Sequence, residues 1–338
     1  MDVYMDVDTG LDLDLDPISL VKKKLSIFAN KNILVLENMA IKKIRKTKDL
    51  VIFNVDHGTV TSTTMSSQQY RGHKFREMLE KVAKNHPELI GKILLYLPEI
   101  VPNGQEPYPV FTTQCKSGFA ITCPILNKHE VINGENILKN LKIDNRIPWD
   151  TKKDKAVYSF SVPFRSRLQI LHEKNDIIDC VLTHKNGKSV HPFAEQECGK
   201  NSPLYDAYLK QVKKDFYSRE NQLTYKYIVN CRGWESLSWK MLSDSLVINY
   251  IPPNESVDIW ANQYLLHNYN CINLTNLDDL SSDLFDSLKA NPDKCQQMIK
   301  NANRVFCKIL TEEYMYLYYE QLFIQYLNMR LECIKSLS

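Results

Sequence analysis

Residues 225–242 read YKYIVNCRGWESLSWKML, and SDSLVINYIPP follows at once. The first six residues alternate and are rich in β-branched and aromatic types, which is the composition of a buried strand, Tyr225 to Asn230. Cys231-Arg232-Gly233 comes next, then a segment with helical spacing, then a second strand from Ser245 to Tyr250. An arginine beside a glycine at such a junction has two readings. Either it makes a sharp turn whose guanidinium is merely solvated, or it receives an anion. In the second case glycine lets the backbone approach closely, while the amides of the helix start and the guanidinium hold a diphosphate.

Outward from this unit, strands and helices alternate. On the C-terminal side, CINLTNL reads as one more short strand. Asn291-Pro292 sets a helix start, with Asn capping and Pro in the first turn. Behind it Met298, Ile299, Ala302, Val305, Phe306 and Ile309 repeat at three and four. Thr311 begins a last long helix with Glu312 and Glu313 where the helix dipole favours them. On the N-terminal side, a unit opens at Pro148-Trp149. KAVYSFSV is a strand, FRSRLQILHEKN a helix with Leu168, Leu171 and Phe164 facing inward, and DIIDCVLTH a strand. Residues 184–203 are polar and glycine-bearing and read as a loop, and LYDAYLKQVKKDFYSREN is helical.

Further upstream, NILVLENM and DLVIFNVDHG are apolar runs of strand length. HKFREMLEKVAKNHPEL is a helix lined by Phe75, Met78, Leu79 and Val82. GKILLYLPEIVP, YPVFTTQ and GFAITCPIL read as strands, and NGENILKNLK as a short helix. This pattern predicts mostly parallel sheets covered on both faces, in two domains. The expected division is a tail over 1–31, an α/β domain over 32–147, a second α/β domain over 148–310 and a closing helix over 311–338. The tail carries aspartates at 2, 6, 8, 12, 14 and 16, then Lys22-Lys23-Lys24. A calcium loop starting at Asp12 fails because Pro17 falls where glycine is required, so an acidic tail or exposed edge strand is the reading.

The totals exclude several function classes. The 338 residues suit about two domains. With 43 basic and 40 acidic residues the net charge is +3, which gives no whole-protein drive toward nucleic acid. The basic segment IKKIRKTK reads as a solvated helix or loop. No run approaches the ~20 apolar residues that span a bilayer. The nine cysteines form no CxxC pair and the histidines no HExxH, so no metal site is expected. The acidic start, MDVYMDVD, is unlike a secretory signal, and a cytoplasmic setting is expected. Tyr314, Tyr318, Leu322 and Tyr326 form an i, i+4 stripe, read as a packing face.

YKYIVNCRGWESLSWKML with SLVI resembles the protein O-glucosyltransferase family, also called the lipopolysaccharide-modifying or capsule-associated family, glycosyltransferase family 90. IPWDTKKDKAVYSFSVPFRSRLQIL, YPVFTTQCK, CPIL and YYEQLFIQYL resemble further segments of that family in the same order. The resemblance covers roughly residues 40 to 330. It implies a GT-B architecture: two Rossmann-like domains facing a cleft, with the last helix crossing back to the first. It implies a UDP-sugar donor, glucose or xylose, an inverting transfer to a hydroxyl of a protein or glycan, and no essential metal or other cofactor. Arg232 and Gly233 would hold the donor diphosphate, joined by Ser161, Arg167, Ser238 and Lys240. Glu255 would hold ribose hydroxyls. The base would be Glu99, with Glu106 as a rival.

The chain departs from the family pattern. Ser159-Phe160-Ser161-Val162 stands where many members have Arg-Gly-Ser-Arg, and Ser238-Trp239-Lys240 stands where a Ser-x-Arg is usual. A lysine keeps the charge and loses the planar fork. The alternative is therefore a non-catalytic relative that binds a glycan or a protein.

Overall fold

The computed structural model describes residues 16–44, 50–63, 70–96, 109–112, 114–116, 120–123, 147–160, 163–182, 187–212, 218–231, 234–252 and 257–337. The chain is an α/β protein built on two five-stranded sheets.

The first sheet is mixed. It contains β1 (Leu50–Asp56), β2 (Thr59–Ser62), β3 (Gly91–Tyr96), β4 (Val110–Thr112) and β6 (Ile121–Thr122), in the order β2-β1-β3-β4-β6. β3, β4 and β6 are parallel, whereas β1 is antiparallel to both of its neighbours. The expectation of mostly parallel pairing fails here for a local reason. His57 and Gly58 both have positive φ, 44° and 80°, the backbone of a two-residue turn that folds β2 back on β1. Helix α3 (Tyr70–Asn85) covers this sheet through Phe75, Leu79, Val82 and Ala83.

Two segments differ from the sequence reading in this half. NILVLENM was expected as a strand, but residues Ile33–Ile44 form helix α2. Its buried positions are 33, 36, 37, 40 and 44, the spacing of one helical face, and the Asn32 side chain accepts the Val35 N–H at 3.1 Å. Residues 17–28, expected as part of a tail, fold as helix α1 (Pro17–Leu25) and a 3₁₀ turn, Ser26–Phe28. The Asp16 carboxylate caps α1 at Ile18 N and Ser19 N, and Val21, Leu25 and Phe28 bury themselves in the first core.

The second sheet is wholly parallel, in the order β12-β10-β9-β7-β8. Its strands are β7 (Lys153–Phe160), β8 (Ile178–Leu182), β9 (Tyr225–Cys231), β10 (Leu246–Tyr250) and β12 (Ile272–Leu274). Near-continuous burial along β9 and β10 is what two covered faces require. Helix α4 (Arg165–Glu173) follows β7. Residues 187–198, expected within a loop, form helix α5 (Gly187–Cys198), with Pro192 inside it. Gly187 and Pro192 signal a breaker locally, but Ala194 is fully buried in the second core, and packing overrides the propensity. Helix α6 (Pro203–Val212), a one-turn helix α7 (Arg219–Gln222) and helix α8 (Trp234–Met241) follow in turn. Lys152, buried, fastens the amino ends of the strands: its Nζ donates to the Leu223 carbonyl at 2.6 Å and to Ser245 Oγ at 2.8 Å.

The C-terminal helices are α9 (Ser282–Ala290), α10 (Pro292–Ile309) and α11 (Glu312–Lys335). In α10 the apolar stripe is buried as expected, but Asn291 does not cap it; its side chain donates back to the Ser287 carbonyl at 2.8 Å. Thr311 does cap α11, its Oγ1 accepting the Tyr314 N–H. α11 belongs to both halves. Tyr314 and Met315 pack in the core of the second sheet, while Tyr318, Leu322, Phe323 and Tyr326 pack in the core of the first. The tyrosine stripe is thus a packing face. A short antiparallel pair, β5 (Gln114–Lys116) with β11 (Val257–Ile259), also joins the two halves.

Candidate functional site

The order of the second sheet locates a crevice. From β7 the chain steps outward to β8 on one side. It then returns to β7's other neighbour, β9, and steps the opposite way through β10 to β12. The direction reverses between β7 and β9. In open parallel sheets ligands bind beyond the carboxyl ends of the strands at such a reversal, because the helices that follow the two strands leave to opposite faces. That separation is present here. Leu168, Ile170 and Leu171 of α4 share one core with Val229 and Cys231 of β9, whereas Leu237, Trp239 and Met241 of α8 share the other with Ile228. Alternate residues of a strand face opposite sides, so the two helices do too.

Each helix sends one cation to the end of β9. Arg167, in the first turn of α4, donates from Nε to the Cys231 carbonyl at 3.4 Å, and its guanidinium lies over the Phe164 ring, 5.1 Å from the centroid. Lys240, in the last turn of α8, is 2% exposed and donates from Nζ to Asn230 Oδ1 at 3.0 Å. Burial pushes the Lys240 amine down to about 7, the Arg167 charge pushes the same way, and the Cys231 thiol opposes them. Two cationic side chains directed at one strand end, one of them buried, are a poor arrangement by themselves and a favourable one once an anion lies between them.

Of the sequence-predicted site residues, Arg167 and Lys240 are brought to the end of β9. Ser238 is fully buried on α8, and its hydroxyl has no hydrogen-bond partner among the described residues. Arg232-Gly233, Ser161, Glu99 and Glu255 lie outside the described residues, as does the rival Glu106. In the sequence Ser161 follows directly on β7 and Arg232 on β9, the two strands that flank the reversal.

Sequence reasoning missed four residues here. Glu197 of α5 accepts the backbone N–H of Arg165 at 3.0 Å, so a carboxylate already serves the first turn of α4. Asn230, Asn249 and Asn273 lie side by side on β9, β10 and β12. Their signal was available: Val-Asn, Ile-Asn and Ile-Asn recur near the ends of three strands, and Asn is disfavoured in strands unless its amide has a partner.

No family model matches the sequence, and no curated protein matches it. Several solved structures are distantly similar, among them the following three. The C-terminal domain of a glycosyl transferase group 1 family protein, LpcC of Francisella tularensis, is 11% identical, with 50% of this chain and 94% of that one covered and a TM-score of 0.29. Anabaena HepE, solved in complex with UDP-glucose, is 10% identical over 69% of this chain and 65% of its own, with a TM-score of 0.34. A glycosyltransferase from Rickettsia africae is 8% identical over 67% and 64%, with a TM-score of 0.33. The chain spans slightly less than two thirds of the length of the last two. No helix among the described residues is long and apolar enough to cross a membrane.

Proposed function

We propose that this chain is a GT-B glycosyltransferase of the protein O-glucosyltransferase kind. It would move glucose or xylose from a UDP-sugar to a hydroxyl of a protein or glycan, with inversion and without a metal. The observation that carries the reading is the convergence of Arg167 and Lys240, from opposite faces of the sheet, on the carboxyl end of β9 at the reversal of strand order. The sequence resemblance supports the sugar nucleotide, and two cations reaching one strand end from opposite faces support a diphosphate between them.

In the transfer, the bond from the sugar C1 to the β-phosphate oxygen breaks as a bond from C1 to the acceptor oxygen forms on the opposite face. UDP leaves carrying the electron pair, and the acceptor's proton passes to a carboxylate, Glu99 or Glu106. Negative charge grows on the leaving diphosphate, so fixed cations beside it lower the barrier more than they stabilise bound substrate. Arg167 and Lys240 fill that role together with Arg232. The N-terminal half, closed over the second by α11 and the β5–β11 pair, would present the acceptor.

Calorimetric titration with UDP, with and without EDTA, tests this. Micromolar binding that survives EDTA and falls at least tenfold in Arg167→Ala is expected, on the order of the ~1.5–3 kcal/mol of a charge-assisted bond. Equal affinity in the wild type and the variant overturns the assignment. A second reading, a non-catalytic relative that binds a glycan or protein, is favoured by Glu197, whose carboxylate holds the N–H of Arg165 that a phosphate would otherwise use. It predicts UDP binding without hydrolysis or transfer, or none.

A further inference from the structure

We propose that Asn230, Asn249 and Asn273 form a positioning ladder for Lys240, fixing its Nζ at the floor of the crevice between β7 and β9. This rests on the anion-binding reading of that crevice given above and extends it to three residues buried in the sheet.

The three asparagines are in register. Asn249 pairs with Asn230 across β10 and β9, and with Asn273 across β10 and β12. Their side chains stand on the same face and bond in series. Lys240 Nζ donates to Asn230 Oδ1 at 3.0 Å, Asn230 Nδ2 to Asn249 Oδ1 at 3.0 Å, Asn249 Nδ2 to Asn273 Oδ1 at 3.2 Å, and Asn273 Nδ2 to the Leu265 carbonyl at 2.9 Å. Both ends dictate the amide orientations. An ammonium only donates, so Asn230 must turn its oxygen to Lys240; a backbone carbonyl only accepts, so Asn273 must turn its nitrogen to Leu265. Every rung therefore points its acceptor toward the lysine, and the aligned amide dipoles support a positive charge there.

The last rung is itself held. The Asn273 N–H donates to His267 Nδ1 at 3.1 Å, and the Cys271 thiol donates to Asn273 Oδ1 at 3.4 Å. Among the described residues, the charged and titratable groups facing Lys240 are Arg167 from α4 and Cys231 from β9. Neither is a carboxylate, so the Asn230 oxygen is the acceptor the sheet offers the charged lysine. A buried polar chain that only stabilised the sheet would not need one cation at one end.

Asn249 is the place to test it, because it does not touch Lys240. Asn249→Leu keeps roughly the volume and cuts the chain, while Asn249→Asp keeps an acceptor for Asn230 and adds a negative charge. The Lys240 titration is followed by NMR of lysine-labelled protein without UDP, with Lys240→Met for assignment. Asn249→Leu is expected to lower the midpoint by about one pH unit, and Asn249→Asp to raise it by a similar amount, each corresponding to about a tenfold change in the protonation equilibrium. Melting temperatures report whether both variants fold. Opposite shifts from one position cannot come from general destabilisation. Folded variants whose midpoint equals that of the wild type overturn the ladder. UDP affinity measured from pH 6 to 9 is the separate readout of the site. In the wild type it weakens as pH rises through the Lys240 midpoint, and the variants displace that profile in the same directions. Shifted midpoints in a protein that does not bind UDP keep the ladder and overturn the sugar-nucleotide reading instead.

Discussion

Arg167 and Lys240 approach the last two residues of the same strand from opposite sides of the sheet: Arg167 bonds the Cys231 carbonyl and Lys240 the Asn230 side chain. Neither helix alone makes a site. The reversal of strand order sends them to opposite faces.

The buried lysines make stability depend on pH in a defined direction. Lys240 is depressed from 10.5 to about 7, and Lys152, by burial against a smaller opposing effect of Asp244, to about 8. Between those values and 10.5 the unfolded chain holds protons that the folded chain does not, so stability rises with pH across that window, by up to ~1.4 kcal/mol per pH unit for each lysine. Urea unfolding from pH 7 to 8.5 is expected to show midpoints that climb; above that range the buried Cys271 and Cys295 thiols, pushed up to about 12 and about 11, oppose the lysines. Lys240→Met should flatten the lower part of the climb, and the double variant with Lys152→Met should nearly abolish it.

Arg232 is expected to act on the same anion as Arg167. Arg232→Ala should weaken UDP binding tenfold or more, about 1.5–3 kcal/mol for a charge-assisted bond. Lysine at 232 should recover part of the affinity and not all, because an ammonium lacks the planar fork. Titration calorimetry at one fixed pH and salt concentration compares the three proteins.

A second ionisable cluster ties α3 to α11. His86 Nε2 meets Glu320 Oε1 at 3.0 Å, Tyr316 donates to the same oxygen at 2.9 Å, and Asn85 donates to Tyr316 at 2.7 Å. The Glu320 contact raises the His86 pKa above 6.5 against a smaller burial effect, with Glu88 adding to it. The stabilisation is complete below the unfolded value of about 6.5 and is lost as pH rises through the raised folded value. Glu320→Gln should remove most of this dependence and lower the melting temperature more at pH 6 than at pH 8.5, as differential scanning calorimetry would show.

Gly91 begins β3 where α11 crosses it. A Cβ there would lie 2.8 Å from Leu327 Cδ2, at a φ of +154°. Gly91→Ala should cost about 1–3 kcal/mol by overpacking. Adding Leu327→Ala should relieve the contact and make the pair less than additive in a denaturant double-mutant cycle.

Much of this was legible along the chain. The βαβ unit over 225–250, the stripe of α10 and the cap at Thr311 are local: alternation, three-and-four spacing and a hydroxyl before two glutamates act within a few residues. NILVLENM was not legible as a helix, because an eight-residue apolar run fits either period. What favours the helix is Glu37, which is buried only because Arg330 Nε and Tyr326 OH, nearly three hundred residues away, bond its carboxylate at 3.0 and 2.9 Å. The helix over 187–198 was hidden in the same way, by a glycine and a proline that packing of Ala194 overrides.

The sequence by itself determined that strands and helices alternate, that a buried strand runs into Arg232-Gly233, and that lysine, serine and arginine stand near that junction. Those are properties of composition and period, which a chain carries before it folds. Only the tertiary structure decided that β9 lies beside β7 and not β8, that Arg167 and Lys240 therefore converge, and that three asparagines far apart in sequence become one bonded row. Strand order and register are set by which apolar faces bury one another over the whole sheet, and no short stretch of residues contains that information.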